Sequence, residues 1–76
     1  MTSLRKLMGD NYADEQIVYW NSRITVWKAS ALDWKERARE AKSNGMPALH
    51  AANMKEMRVS YMRANWAREK ALRYMA

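Results

Sequence analysis

An uninterrupted apolar repeat between residues 17 and 41 constrains this chain more than any other feature. Its members alternate three- and four-residue spacings, and they are Ile17, Trp20, Ile24, Trp27, Ala31, Trp34, Ala38 and Ala41. Such spacing is the a/d pattern of a helix that packs lengthwise against another helix. Neither Gly nor Pro occurs between Gly9 and Gly45. The sequence therefore predicts one long helix here, with its three Trp residues on the packed side.

Glycine and proline divide the rest of the chain. We predict that Asp10 or Asn11 caps the first helix, because either side chain can accept a hydrogen bond from a free backbone N–H. Gly45 suits the position after a helix end, where φ is often positive. Pro47 suits the first position of a helix, where its missing N–H does no harm. The predicted single domain, 1–76, comprises an N-terminal segment 1–10 with a possible helical turn at 2–8, a helix 11–43, a turn 44–46 and a helix 47–75.

The short turn predicts an antiparallel arrangement of the two helices. Folding the chain about Gly45 matches the first repeat with a seam on the second helix, consisting of His50, Met54, Met57, Tyr61, Ala64, Arg68, Ala71 and Met75. Trp27 then faces Ala64 and Trp20 faces Ala71, an alternation of bulky and small residues that suits close packing. Arg68 is the charged member of the seam, and it either stacks on an indole or extends to water. The predicted fold is an all-α antiparallel helical hairpin that resembles a coiled coil.

Each predicted helix also carries a second apolar stripe outside this seam. Tyr19 and Val26 form the stripe of the first helix, and Val59, Met62 and Trp66 form that of the second. Two helices alone cannot bury both stripes, and a chain of 76 residues without cysteine has no disulfide to stabilise a small core. We therefore expect a homodimer that forms a four-helix bundle, or a foreign partner that covers the stripes.

The charge of the chain indicates an anionic partner. Its net charge is +6, and residues 46–76 contribute +4 of this through six basic and two acidic residues. The candidate partner-binding residues on the second helix are Lys55, Arg58, Val59, Met62, Arg63, Trp66, Lys70 and Arg73. Aromatic and Met anchors within basic residues favour an acidic protein surface. The alternative is nucleic acid, bound through phosphate contacts and base stacking.

The residues that enzymes and metal sites need are scarce. The chain has no Cys, one His and no Gly-rich phosphate loop. The acidic residues Asp10, Asp14 and Glu15 do not follow a calcium-loop spacing and suit the start of a helix instead. His50 has no neighbour in sequence that would make it a catalytic base, so we expect a structural role for it. We therefore expect a non-enzymatic adaptor or inhibitor without catalytic residues, metal or cofactor.

Two further expectations concern location and surface charge. No apolar run approaches the roughly 18 residues of a membrane span, and the N-terminus lacks the apolar core of a secretory signal, which predicts a cytoplasmic protein. The segment 33–42 is a charged helical surface. Its spacing predicts ion pairs between Asp33 and Arg37 and between Glu36 and Arg39.

Overall fold

The structure, a computed structural model, describes residues 9–75, and the possible helical turn at 2–8 lies outside this range. Helix α1 spans Asp10–Ser43 and helix α2 spans Pro47–Met75. The two helices pack against each other as a hairpin with dimensions of 54 × 20 × 11 Å. The predicted all-α hairpin is confirmed. Neither helix, within the described range, is long and apolar enough to cross a membrane.

The prediction that Asp10 or Asn11 caps α1 is wrong. Gly9 occupies the capping position, and its carbonyl accepts the first helical hydrogen bond from the N–H of Ala13 at 3.1 Å. Gly9 has no side chain, so no side-chain capping hydrogen bond forms at this position. Because the helix begins one residue earlier than predicted, Asp10 and Asn11 already lie inside its first turn, where neither can serve as the cap.

The turn ends α1 as the sequence predicted. Gly45 has a φ of 68°, a conformation that glycine adopts without steric cost. The N–H of Met46 donates to the carbonyl of Ala41 at 2.9 Å, and the N–H of Gly45 donates to the carbonyl of Lys42 at 3.2 Å. These two bonds form a Schellman motif, which satisfies carbonyls at the helix end. Pro47 then opens α2, so the chain reverses direction within three residues.

Small residues fill the centre of the interface between the helices. The buried residues of α1 are Ala13, Ala31, Ala38 and Ala41, and those of α2 are Asn53, Ser60, Ala64, Ala67 and Ala71. Small side chains at a contact let two helix axes approach closely. No large side chain in the described range is fully buried. The indoles of Trp20, Trp27 and Trp34 are half-buried, because closely spaced helices leave no room for an indole between their axes.

The predicted seam of α2 is wrong at three of its eight positions. Its members His50, Met54, Met57, Ala64 and Ala71 are buried or half-buried, as expected. Tyr61, Arg68 and Met75 are exposed, and the preceding residues Ser60, Ala67 and Tyr74 take their places, while Asn53 is buried beside the half-buried Met54. Ser60 and Ala67 are small enough for the close interface, whereas a Tyr or Arg is not. Arg68 is exposed and lies over no indole.

Polar contacts also tie the helices together. The Oγ atoms of Ser30 and Ser60 lie 3.4 Å apart. Nδ1 of His50 lies 2.8 Å from the backbone carbonyl of Ala38. A carbonyl oxygen only accepts hydrogen bonds, so Nδ1 carries the proton and donates it. His50 therefore has the structural role that the sequence suggested, as a link near the closed end of the hairpin.

Candidate partner-binding face

An aromatic cluster joins the two helices in the half of the hairpin that is distant from the turn. The rings of Tyr19 and Trp20 meet edge to face, with centroids 5.0 Å apart. Trp20 in turn meets Trp66 of α2 edge to face at 5.1 Å. Edge-to-face contacts are favourable because the positive ring edge approaches the negative ring face. Three rings from both helices thus form one continuous aromatic surface.

Cations from both helices lie over the indoles beside this cluster. The guanidinium groups of Arg23 and Arg63 lie 5.2 and 4.8 Å from the centroid of the Trp27 ring. Nζ of Lys70 lies 5.5 Å from the centroid of the Trp66 ring. A cation over an indole is attracted by the ring quadrupole, typically by about 0.5–1 kcal/mol at exposed sites. These contacts restrain long side chains at the edge of the aromatic surface.

The two apolar stripes that the sequence predicts, one on each helix, belong to one surface. The contacts through Trp20 place Tyr19 of α1 and Trp66 of α2 on the same side of the hairpin. Val26 follows Tyr19 by seven residues and Val59 precedes Trp66 by seven, so each valine shares the side of its aromatic neighbour. We call this surface the aromatic face, formed by Tyr19, Val26, Val59, Arg63, Trp66 and Lys70.

The aromatic face is open to solvent. Tyr19, Val26 and Trp66 retain 52%, 49% and 51% of their accessible surface, and Val59 is half-buried. The face therefore exposes large apolar side chains from both helices at adjacent positions. Contiguous apolar surface of this kind, bordered by cations, is typical of a binding site.

The other predicted site residues, with one exception, also lie on this side of α2. Met62 extends the aromatic face outward and is 69% exposed. Arg73 follows Trp66 by seven residues and continues its row towards the end of the helix. Lys55 is exposed and precedes Val59 by four residues and Met62 by seven, so it shares their side of α2, whereas Arg58 is exposed on another side. The predicted residues therefore share one side of α2, with the exception of Arg58.

Two members of this region were not predicted as binding residues. Trp20 was assigned to a buried seam, although it connects Tyr19 to Trp66 at the edge of the interface. Arg23 was not singled out at all. It precedes Trp27 by four residues, and this spacing places two side chains next to each other on a helix. The spacing was therefore a readable signal for the stacking of Arg23 on Trp27.

The indole N–H of Trp20 has no acceptor. Its Nε1 atom is buried, and no other buried side-chain polar atom of the described residues lacks a hydrogen-bond partner. An unsatisfied buried donor typically costs about 1–3 kcal/mol. Tyr19, whose ring contacts that of Trp20, is itself exposed.

A tyrosine pair lies at the open end of the hairpin. The rings of Tyr12 and Tyr74 meet edge to face, with centroids 6.1 Å apart. Loss of water around the Tyr74 phenol raises its pKa above the ordinary value, and the neighbouring Tyr12 phenol raises it further. The pair therefore favours neutral phenols and joins the first turn of α1 to the last turn of α2.

Two acidic residues of α1 form ion pairs on the surface. Asp33 pairs with Arg37 at 3.1 Å and Glu36 with Arg39 at 3.2 Å, as their spacing predicted. No group of three or more His, Asp or Glu residues in residues 9–75 is placed to hold a metal ion.

Comparisons of the chain with protein-family models, curated proteins and solved structures found no match.

Proposed function

We propose that this chain is a non-enzymatic binding protein, an adaptor or inhibitor that docks its aromatic face on an acidic surface of a larger protein. The observation that carries the proposal is the environment of Trp66. Its ring contacts Trp20 and lies under Lys70, yet half of its surface remains exposed. Trp, Tyr and Arg are the residues that most often dominate binding energy at protein interfaces.

Charge favours an acidic partner. Arg63 and Lys70 border Trp66 and Val59 on α2, and Arg23 approaches from α1. An acidic surface would neutralise these cations at the rim while Trp66 and Tyr19 enter an apolar centre. We place this interaction in the cytoplasm.

A homodimer is the second candidate for the same face. The hairpin is a single layer of two helices, whereas domains are usually built from at least two packed layers. Two copies joined through their aromatic faces would form a four-helix bundle and cover Tyr19, Val26 and Trp66. This arrangement would bring Arg63 and Lys70 of both copies together, however. Like charges would oppose it, so we favour the acidic partner.

Sedimentation at two salt concentrations separates these candidates. Salt screens repulsion between like charges and attraction between unlike charges. A homodimer through the aromatic face should therefore strengthen from 50 to 500 mM salt. A chain that stays monomeric at both concentrations leaves the face to a foreign partner.

Capture of acidic proteins tests the preferred function. The immobilised chain is incubated with nuclease-treated lysate, and the captured proteins are separated by isoelectric point. Wild type and Leu72→Ala should retain acidic proteins at about 200 mM salt, whereas Trp66→Ala should lose them. Leu72 is a matched control, because its exposure of 51% equals that of Trp66. Circular dichroism verifies that each variant is helical.

The alternative is nucleic-acid binding by the basic residues of α2 around Trp66. Its signature is capture that nuclease abolishes and that falls steeply with salt. The double variant Arg63→Ala with Lys70→Ala distinguishes it further. If that variant loses all binding while Trp66→Ala loses none, electrostatic contacts carry the interaction and the aromatic anchor proposal is wrong.

A further inference from the structure

Lysines recur every seven residues along α1, at Lys28, Lys35 and Lys42. Seven residues make nearly two helical turns, so the three lysines form a row with steps of about 10.5 Å. All three are exposed. An open groove near the turn shows where this row lies, because Lys35 and Lys42 line the groove together with His50 and Met54 of α2.

Met54 also identifies which cations of α2 share this side. Arg58 follows Met54 by four residues and Arg68 follows it by fourteen, and both spacings keep residues on one side of a helix. Both arginines are exposed. We call this surface the basic face, formed by Lys28, Lys35, Lys42, Arg58 and Arg68. It lies across the hairpin from the aromatic face.

The charge of the basic face is not neutralised within the described chain. None of its five cations forms an ion pair with a described carboxylate or stacks on an indole. Arg39 also lines the groove, but it is paired with Glu36. The five cations therefore remain available to an external anion.

We infer that the basic face binds the phosphate backbone of double-stranded nucleic acid. The row from Lys28 to Lys42 is about 21 Å long, which matches about six base pairs at 3.4 Å each. A duplex offers a rigid line of phosphates to a rigid line of cations. This role is additional to the proposed docking function, because it leaves the aromatic face free.

The side chains around these cations favour a duplex over other anionic partners. Single strands are usually bound by several aromatic side chains on which bases stack. Along the basic face the rows of Lys35 and Met54 contain one aromatic residue, Tyr61. A membrane surface would need a continuous apolar stripe beside the cations. On α1 the row beside these lysines is Val18, Thr25, Leu32 and Arg39, in which polar residues interrupt the apolar ones.

Salt-dependent binding of the full chain to a 20-base-pair duplex tests this inference. Five phosphate contacts predict a slope of about −4.5 for the logarithm of the binding constant against the logarithm of salt concentration. Affinity should then fall roughly 500-fold between 50 and 200 mM salt. The double variant Lys35→Gln with Lys42→Gln should reduce the slope by about two and weaken binding on the order of 100-fold at 50 mM salt.

A second double variant controls for net charge. Lys55→Gln with Arg73→Gln removes the same two charges from exposed positions outside the basic face, and it should keep the wild-type slope. Trp66→Ala should also bind the duplex normally, so failure of the docking proposal is distinguishable from failure of this one. Circular dichroism of each variant establishes that the hairpin is intact.

Three results would overturn the inference. The first is no binding of the wild type to the duplex at 50 mM salt. The second is an equal loss in both double variants, which would mean that net charge alone decides. The third is binding to polyglutamate or to phosphatidylserine vesicles, but not to the duplex, with the same dependence on Lys35 and Lys42. That result would assign the basic face to an acidic protein or to a lipid surface.

Discussion

The indoles of Trp20 and Trp66 meet edge to face between α1 and α2, with ring centroids 5.1 Å apart and planes at 86°. This contact joins the helices far from the turn, where the chain itself no longer holds them together. It also leaves half of the Trp66 surface exposed. One residue pair therefore contributes to the stability of the hairpin and presents the side chain that we propose as the anchor for a partner.

Replacing Trp66 should destabilise the hairpin more than replacing an equally exposed residue. Trp66→Ala removes the contact with Trp20 and the cation of Lys70 above the ring, and it should cost about 1–2 kcal/mol. Leu72→Ala should cost no more than about 0.5 kcal/mol. Thermal unfolding followed by circular dichroism measures both. Equal melting temperatures would show that the Trp20–Trp66 contact contributes nothing to stability.

Neighbouring substitutions at residues 67 and 68 test which residue faces α1. Ala67 is fully buried, so Ala67→Leu should force the helices apart and cost about 1–3 kcal/mol. Arg68 is exposed, and Arg68→Leu should change the free energy of unfolding by about 0.5 kcal/mol or less. Urea unfolding of the two variants provides the comparison. A larger loss of stability for Arg68→Leu than for Ala67→Leu would support the predicted seam, in which Arg68 faces α1.

The backbone at Gly45 should respond to substitution without any change in packing. A Cβ atom at this position would meet nothing within 4 Å, so the cost of Gly45→Ala comes from its φ of 68° alone. We expect a loss of about 1 kcal/mol for Gly45→Ala and a smaller loss for Gly45→Asn, since Asn tolerates this conformation better. Unfolding curves in which Gly45→Asn is less stable than Gly45→Ala would contradict this explanation.

Alkaline pH should weaken the contact between Tyr12 and Tyr74. The fold raises the pKa of Tyr74, mainly by removing water and then through the Tyr12 phenol, so the folded chain holds the proton more tightly than the unfolded chain. The stability that this group contributes is complete below the ordinary pKa of 10.0 and is lost as the pH rises through the folded-state value.

Ultraviolet titration of phenolate absorbance measures this shift. Subtracting the curve of Tyr74→Phe from that of the wild type isolates Tyr74 among the four tyrosines. The difference curve should have its midpoint above pH 10, and Tyr12→Phe should move that midpoint down. A midpoint at or below 10 in the wild type would refute the proposed coupling.

Local sequence signals were sufficient to predict the elements of the fold. Gly45 and Pro47 define the turn because one accepts positive φ and the other needs no N–H, and both act through the backbone alone. The repeat from Ile17 to Ala41 identifies the packed side of α1, since helical periodicity is a property of a single helix. The pairs Asp33–Arg37 and Glu36–Arg39 likewise depend only on spacing within one helix.

The contacts between the helices could be decided only by the tertiary structure. Periodicity allows either Ala67 or Arg68 to face α1, because the two differ by 100° on a helix and both fit an approximate heptad. Close approach of the helix axes selects Ala67, and that distance depends on both helices at once. The same approach displaces Trp20 to the edge of the interface, where it meets Trp66, and so unites two separate stripes in one aromatic face. Sequence by itself determined where this chain is helical and where it turns, whereas packing determined which side chains the two helices share.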